Sequence, residues 1–191
     1  PLSTLVFVCF IASVFLFHFY FIKRKQMTDP FRLALIIGGV LLLSYPFLSH
    51  DLFNYLFDEK ILTYYHQNPY MHKALDYPAD SWTRFMHWTH RSYPYGPTFL
   101  IVMLPALALS FGKFILSFFF TKLTFVGLYV LSVYYLKKID AKQALFFATN
   151  LIILVEGLMN AHNDFIAVAV AVIGIYYYMK KNNLVAGILF V

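Results

Sequence analysis

The sequence predicts an all-α fold: a polytopic transmembrane helical bundle with amphipathic juxtamembrane helices in its first external loop. Three observations predict it. Of the 191 residues, 61% are apolar, against about 45–50% in an ordinary soluble domain. Only 13% are charged. Those charges gather in short stretches between apolar runs long enough for a hydrocarbon core of about 30 Å. Together these exclude a disordered chain, a collagen-like chain and a water-soluble domain. The net charge is +6, but the basic residues lie in loops beside apolar runs. That is a topology signal rather than a nucleic-acid footprint. Cys9, the single cysteine, can form neither an internal disulfide nor a multi-thiolate metal site.

Five runs are candidates for spans of roughly 17–25 residues: 2–22, 33–49, 114–136, 143–158 and 165–179. The second, fourth and fifth are short, and 184–191 begins another. The chain opens on Pro1 rather than Met and stops at Val191 within an apolar run. It therefore reads as one membrane domain, 1–191, the N-terminal part of a longer protein. The run 98–111 is different. Fourteen residues reach only about 21 Å, and Pro105 interrupts them.

Basic loops set the sidedness. Lys23, Arg24, Lys25 and Arg32 place the first loop in the cytoplasm, so 50–96 lies outside. If 98–111 crosses fully, the loops carrying Lys137, Lys138, Lys142 and Lys180, Lys181 fall outside, against the rule. If it is a half-helix, both fall inside and 160–164 faces 50–96. The second topology is preferred.

The polar stretch 50–96 carries most of the chemical information. It opens with HDLFNYLFDEKIL. On a 3.6-residue period Asp51, Asn54, Tyr55 and Asp58 share one face, and Leu52, Phe53, Leu56 and Phe57 the other. This reads as an amphipathic helix at the membrane surface. A solvated face would explain it, but a carboxylate directly after an apolar helix is costly unless used or paired. Asn68-Pro69 signals a turn. Trp82, Phe85 and Met86 recur at helical spacing opposite Arg84, His87 and Arg91, as in an interfacial helix. Trp82 and Trp88 read as aromatic-belt anchors rather than sugar platforms. SYPYGP, residues 92–97, is a rigid turn whose tyrosines either bind sugar or phosphate or line the interface.

Further on, EGLMNAHND (156–164) sets His162, Asn163 and Asp164 in a short connector. His162 with Asp164 suits a metal pair, a proton relay or a capped helix start, and Asp164 alone is a good N-cap for 165–179. Lys122 and Glu156 are intramembrane charges, functional candidates by default, although Lys122 could snorkel.

At these residues the chain resembles the GT-C superfamily of polytopic glycosyltransferases. It is most similar to the prokaryotic polyprenol-phosphate-mannose-dependent mannosyltransferases, with a looser likeness to the catalytic subunit of the first GPI mannosyltransferase. The carrying residues are Asp51, Tyr55 and Asp58 after an early membrane helix, then Asn68-Pro69-Tyr70, Tyr93-Pro94-Tyr95-Gly96-Pro97 and His162-Asn163-Asp164. The resemblance implies a multi-pass protein of a prokaryotic cytoplasmic membrane with its active site on the external face, in the loop 50–96. It implies a polyprenyl-phosphate-linked hexose donor, mannose above all, and a glycan or glycolipid acceptor. Asp51 matches the family's acidic catalytic residue by position. The family's acidic pair separated by one residue is not present, so Asp58 stays beside Asp51 as a candidate base.

The residue types suit that chemistry. An acceptor hydroxyl needs a carboxylate base, and one base acting by direct displacement inverts the anomeric centre. The leaving lipid phosphate needs a cation or metal. Asp58, His162 and Asp164 are expected to line the phosphate or a divalent cation, Mg or Mn. Lys122, Arg84 or Arg91 take the phosphate if no metal is used. Tyr55, Asn68, Tyr70, Arg91, Tyr93, Tyr95, Lys122, His162, Asn163 and Asp164 make up the expected substrate-binding set. Two other readings stay open: a carrier relaying protons through Glu156, His162 and Asp164, and a non-catalytic scaffold. An enzyme brings Asp51 and Asp164 to one face, whereas a carrier keeps its charges near mid-membrane.

Overall fold

A computed structural model describes residues 2–24 and 28–190. Pro1, Val191 and Lys25 of the first basic loop lie outside the described residues. Eight α-helices follow in order: α1 Leu2–Lys23, α2 Pro30–Leu42, α3 Asp51–Thr63, α4 Pro97–Ala108, α5 Phe114–Ile139, α6 Ala141–Thr149, α7 Asp164–Met179 and α8 Asn183–Phe190. Two 3₁₀ turns, Ala74–Asp76 and Ser81–Phe85, lie between α3 and α4, and a π-helical segment, Ile153–Met159, lies between α6 and α7. Among the described residues the only β feature is an isolated bridge between Lys73 and Ser92. The all-α bundle is as the composition predicts.

The spans are less regular than the apolar runs. Among the described residues, two helices, α1 and α5, are long and apolar enough to cross a membrane. The run 143–158 is not one helix: α6 and the π segment meet at an angle of 65°. Asn150 makes the break, because its side-chain oxygen accepts from the amides of Ile152 at 2.9 Å and Ile153 at 3.4 Å, as a cap does. The runs 33–49 and 165–179 yield helices of 13 and 16 residues. Local caps explain the start of α2. Asp29 accepts from the amide of Phe31 at 2.9 Å, and Pro30 needs no amide partner at the first position.

α5 is the central post. Its Phe125, Tyr129 and Val133 are buried against Leu33 and Ala34 of α2, Ala144 and Ala148 of α6, and Phe165 and Ala169 of α7. Between helices in lipid, water release contributes little, so small residues and close approach carry the association. Gly38 is one such contact: a Cβ there would stand 2.8 Å from Val126.

Polar ties fix which helix ends meet. Lys137 at the end of α5 pairs with Asp29 at the start of α2 at 2.9 Å. The Tyr135 and Tyr177 hydroxyls, near the ends of α5 and α7, are 3.1 Å apart. The loops carrying Lys137, Lys138, Lys142, Lys180 and Lys181 thus share one end of the bundle. α4 does not carry the chain there. It starts with Phe99 against Tyr55, its last turn lies beside Lys60 and Trp82, and Phe114 of α5 stacks on Phe85 at 4.6 Å. α4 therefore runs alongside α3 within the opposite end, the arrangement the half-helix reading requires.

Three expectations for 50–96 are corrected. α3 is not an amphipathic surface helix: every residue from Leu52 to Ile61 is buried, because α4, α5 and the 81–85 turn cover it on several sides. The interfacial helix around Trp82 is only the 3₁₀ turn Ser81–Phe85, started by Asp80, which accepts from the amide of Trp82. Trp82 is no belt anchor, being buried with the Lys60 ammonium 4.0 Å from its ring. Asp80 pairs with that ammonium at 2.5 Å. Trp88 stays exposed.

Candidate active site

Asp51 opens α3, where the unpaired amides of a helix start favour a carboxylate. Facing it is the connector from the π segment to α7. Ala161 turns that connector with a positive φ of 55°, a strained conformation for a residue with a Cβ. Ala161 is also fully buried, so only a small side chain fits the turn. The turn aims His162 between two carboxylates. Its Nδ1 is 3.6 Å from Asp51 Oδ2 and its Nε2 is 3.3 Å from Glu156 Oε2. All three side chains are partly open, at 20% for Asp51, 30% for His162 and 47% for Glu156.

A buried frame holds this trio. The Tyr55 hydroxyl is 3.4 Å from Asn163 Oδ1, to which it donates, and accepts from the Asn163 amide at 3.4 Å. Burial, with Tyr95 and Asp51 nearby, raises the Tyr55 phenol well above its ordinary range, so it stays protonated. Asn160 donates to Glu156 Oε2 at 3.2 Å and accepts from the Leu48 amide at 3.4 Å. The π segment ends with carbonyls that have no helical partner. Lys122 supplies one: its ammonium donates to the carbonyls of Leu158 and, at 3.0 Å, Met159, and to Ser44 Oγ at 3.1 Å. An ammonium has three donors, and all are engaged inside the bundle. The donor-phosphate role expected of Lys122 gives way to a structural one. Gly157 completes the frame. A Cβ there would stand 2.7 Å from Phe165, so only glycine lets the π segment lie this close to α7.

The other expected residues divide. Asp58 is buried with Oδ2 unpartnered. Burial pushes its carboxyl up to about 7, and Arg91 opposes that rise. Glu59 beside it is buried with both oxygens unpartnered and is also raised by burial and by Asp58. Asn68 shapes a turn, accepting from the Tyr70 amide at 3.0 Å. The hydroxyl of Tyr70 donates to the Tyr95 carbonyl at 3.0 Å, and that of Tyr93 to the Gly96 carbonyl at 3.3 Å. Arg91 lies 5.7 Å from the Tyr95 ring. Asn68, Tyr70 and Tyr93 thus build the loop wall, while Tyr95 leans edge-on against Tyr55 at 5.4 Å and reaches the site. Asp164 is the first residue of α7 and not its cap, a place taken by Asn163.

Two clefts flank the start of α7 and share Asp164. The larger, about 510 Å³, has Tyr95, Asn163 and Asp164 at its polar end, with Phe99, Val102, Ile166 and Val170 among its apolar walls. The smaller, about 330 Å³, has Glu156, His162 and Asp164, with Ile152, Ile153 and Val168. Among the described residues, no three His, Cys, Asp or Glu side chains are placed to hold a metal ion. Asp58, expected in such a set, lies within the packing of α3. Sequence reasoning marked Glu156 as an intramembrane functional candidate and placed it in the carrier relay, but left it out of the transferase site and passed over Asn160. An intramembrane glutamate six residues before a histidine was the available signal.

A family model described as alpha-(1->6)-mannopyranosyltransferase, N-terminal domain (MptA_B family), matches residues 5–191. No curated protein and no solved structure matches the chain.

Proposed function

The chain belongs to this alpha-(1->6)-mannopyranosyltransferase family, and from that premise we propose that it moves mannose from a polyprenyl-phosphate donor to a glycan or glycolipid acceptor with Asp51 as general base. Membership makes it a membrane glycosyltransferase and sets the carrier and scaffold readings aside. The observation that carries the proposal is the meeting of Asp51 with His162 and Glu156, beside a cleft polar at one end and apolar along its walls.

In this reading the prenyl chain follows Phe99, Val102, Ile166 and Val170, and the sugar phosphate stands near Tyr95, Asn163 and Asp164. Asp51 takes the proton from the acceptor hydroxyl as that oxygen forms its bond to the anomeric carbon. The bond to the phosphate oxygen breaks, and the lipid phosphate leaves with its electron pair. His162 holds the Asp51 carboxylate in place and, when protonated, offsets charge growing on the phosphate. Arg91, beside the Tyr95 ring, is the arginine assigned the same task. No step is assigned to a metal. Direct displacement inverts the anomeric centre, so an α product requires a β-linked donor. Asp58 is buried inside α3, whereas the Asp51 side chain is partly open, so Asp51 is the carboxylate an acceptor hydroxyl can reach. The acidic end of the bundle is assigned to the external face of a prokaryotic membrane, and the basic end to the cytoplasm.

The test supplies the full-length protein in vesicles with β- or α-linked polyprenyl-phosphate-mannose, or with a nucleotide-linked mannose. Transfer from the β-linked lipid alone, giving an α product, is expected. Transfer from the nucleotide sugar without lipid, or retention of configuration, would overturn the proposal.

A further inference from the structure

At the end of the bundle away from the active site, α1 and α6 leave a notch of about 410 Å³ between them. Phe21, Ile22, Leu145 and Phe146 form its apolar part, and Arg24, Lys142 and Gln143 form its polar part. The two cations come from different elements, the end of α1 and the first turn of α6. Neither pairs with a carboxylate among the described residues, unlike Lys137, which Asp29 neutralises. Asp140 is close in sequence, but it caps α6 through the amides of Lys142 and Gln143 and does not line the notch.

The notch sits beside the contact that holds α1 to the bundle. Most of α1 is exposed apolar surface, as for a helix facing lipid. Its one buried polar tie is His18 to Thr149 of α6, at 2.8 Å. Beside that tie, Phe146 is 47% exposed and Ile22 40%, which leaves an apolar strip continuing from the polar mouth.

We propose that this notch binds an anionic phospholipid of the membrane, its headgroup phosphate between Arg24 and Lys142 and its acyl chain along Phe21, Ile22 and Phe146. Charge complementarity selects the ligand. Two uncompensated cations and a side-chain amide suit a phosphate carrying net negative charge, and the adjoining strip suits a chain, not water. Basic pockets between transmembrane helices are suited to such headgroups. The bound lipid bridges α1 to α6 and so fastens the helix that has the fewest protein contacts of its own. The site lies apart from the transferase centre and does not depend on how that centre works.

The test follows thermal unfolding of the full-length protein in detergent micelles carrying phosphatidylglycerol, phosphatidylcholine or inorganic phosphate alone. At saturating phosphatidylglycerol the midpoint is expected to rise by about 5–10 °C, with little change for phosphatidylcholine or phosphate. The double variant Arg24→Gln/Lys142→Gln should lose most of that rise. The double variant Lys180→Gln/Lys181→Gln, at the same end but outside the notch, should keep it. Three results would overturn the proposal: an undiminished rise in the first variant, an equal loss in the second, or an equal rise with phosphate.

Discussion

His162 Nδ1 stands 3.6 Å from Asp51 Oδ2, joining the start of α3 to the connector before α7. Two carboxylates flank the imidazole, since Glu156 is 3.3 Å from its other nitrogen. An imidazole held this way orients the carboxylate it touches, so the two residues form one unit. His162→Gln alone should lower kcat by about tenfold or more. In an Asp51→Asn background it should add little, because groups that act as a unit are not additive. Single-turnover transfer rates for both single variants and the double check this. Independent, multiplying effects would contradict it.

Lys122 positions that unit from a distance. Replacing it with Met removes the donors to Ser44 Oγ and to the Leu158 and Met159 carbonyls and leaves buried acceptors unpaired. The cost should be roughly 2–4 kcal/mol, read from denaturant unfolding. Arginine should not rescue it, because a planar guanidinium does not fit three acceptors grouped around one ammonium.

Gly157→Ala places a Cβ 2.7 Å from the Phe165 ring. Overpacking of this kind costs about 1–3 kcal/mol. It should also push the π segment off α7 and part Glu156 from His162. The expected kinetic result is a fall in kcat larger than any change in KM. Phe165→Leu, which makes room, should restore part of the rate.

Asp58 gives a stability signature with a definite sign. Burial raises its carboxyl to about 7, so the folded state holds a proton that the unfolded chain releases near pH 4. The stabilisation is complete below about pH 4 and is lost as pH rises through about 7. Asp58→Asn should match the wild type at pH 4 and exceed it at pH 8, by at most ~4 kcal/mol. Unfolding midpoints measured across that range are the check.

Much of this was legible in the sequence. The apolar runs gave the helices, and the three basic loops gave the end they share. The polar segments 50–96 and 156–164 were read as the chemical part of the chain, and the structure brings Asp51 of the first to His162 of the second. What stayed hidden depended on packing. Periodicity gave α3 a polar face and an apolar face, but nothing local says that Phe99 of α4 and Tyr95 close over the polar one while the 81–85 turn packs on the apolar one. Run length treated 143–158 as one span, whereas the side chain of Asn150 breaks it. Lys122 looked like a cation free for phosphate because its carbonyl partners lie on a π segment that hydropathy does not reveal. The same segment brings Glu156 to His162.

The central claim is that the carboxylate meeting His162, and not the one inside α3, removes the acceptor proton. Its most direct measurement compares Asp51→Asn with Asp58→Asn in the full-length protein, in membranes supplied with polyprenyl-phosphate-mannose. Asp51→Asn should lower the transfer rate by about 10² or more, while Asp58→Asn should stay within a few-fold of the wild type. Near-normal transfer by Asp51→Asn, or the larger loss in Asp58→Asn, would contradict the claim.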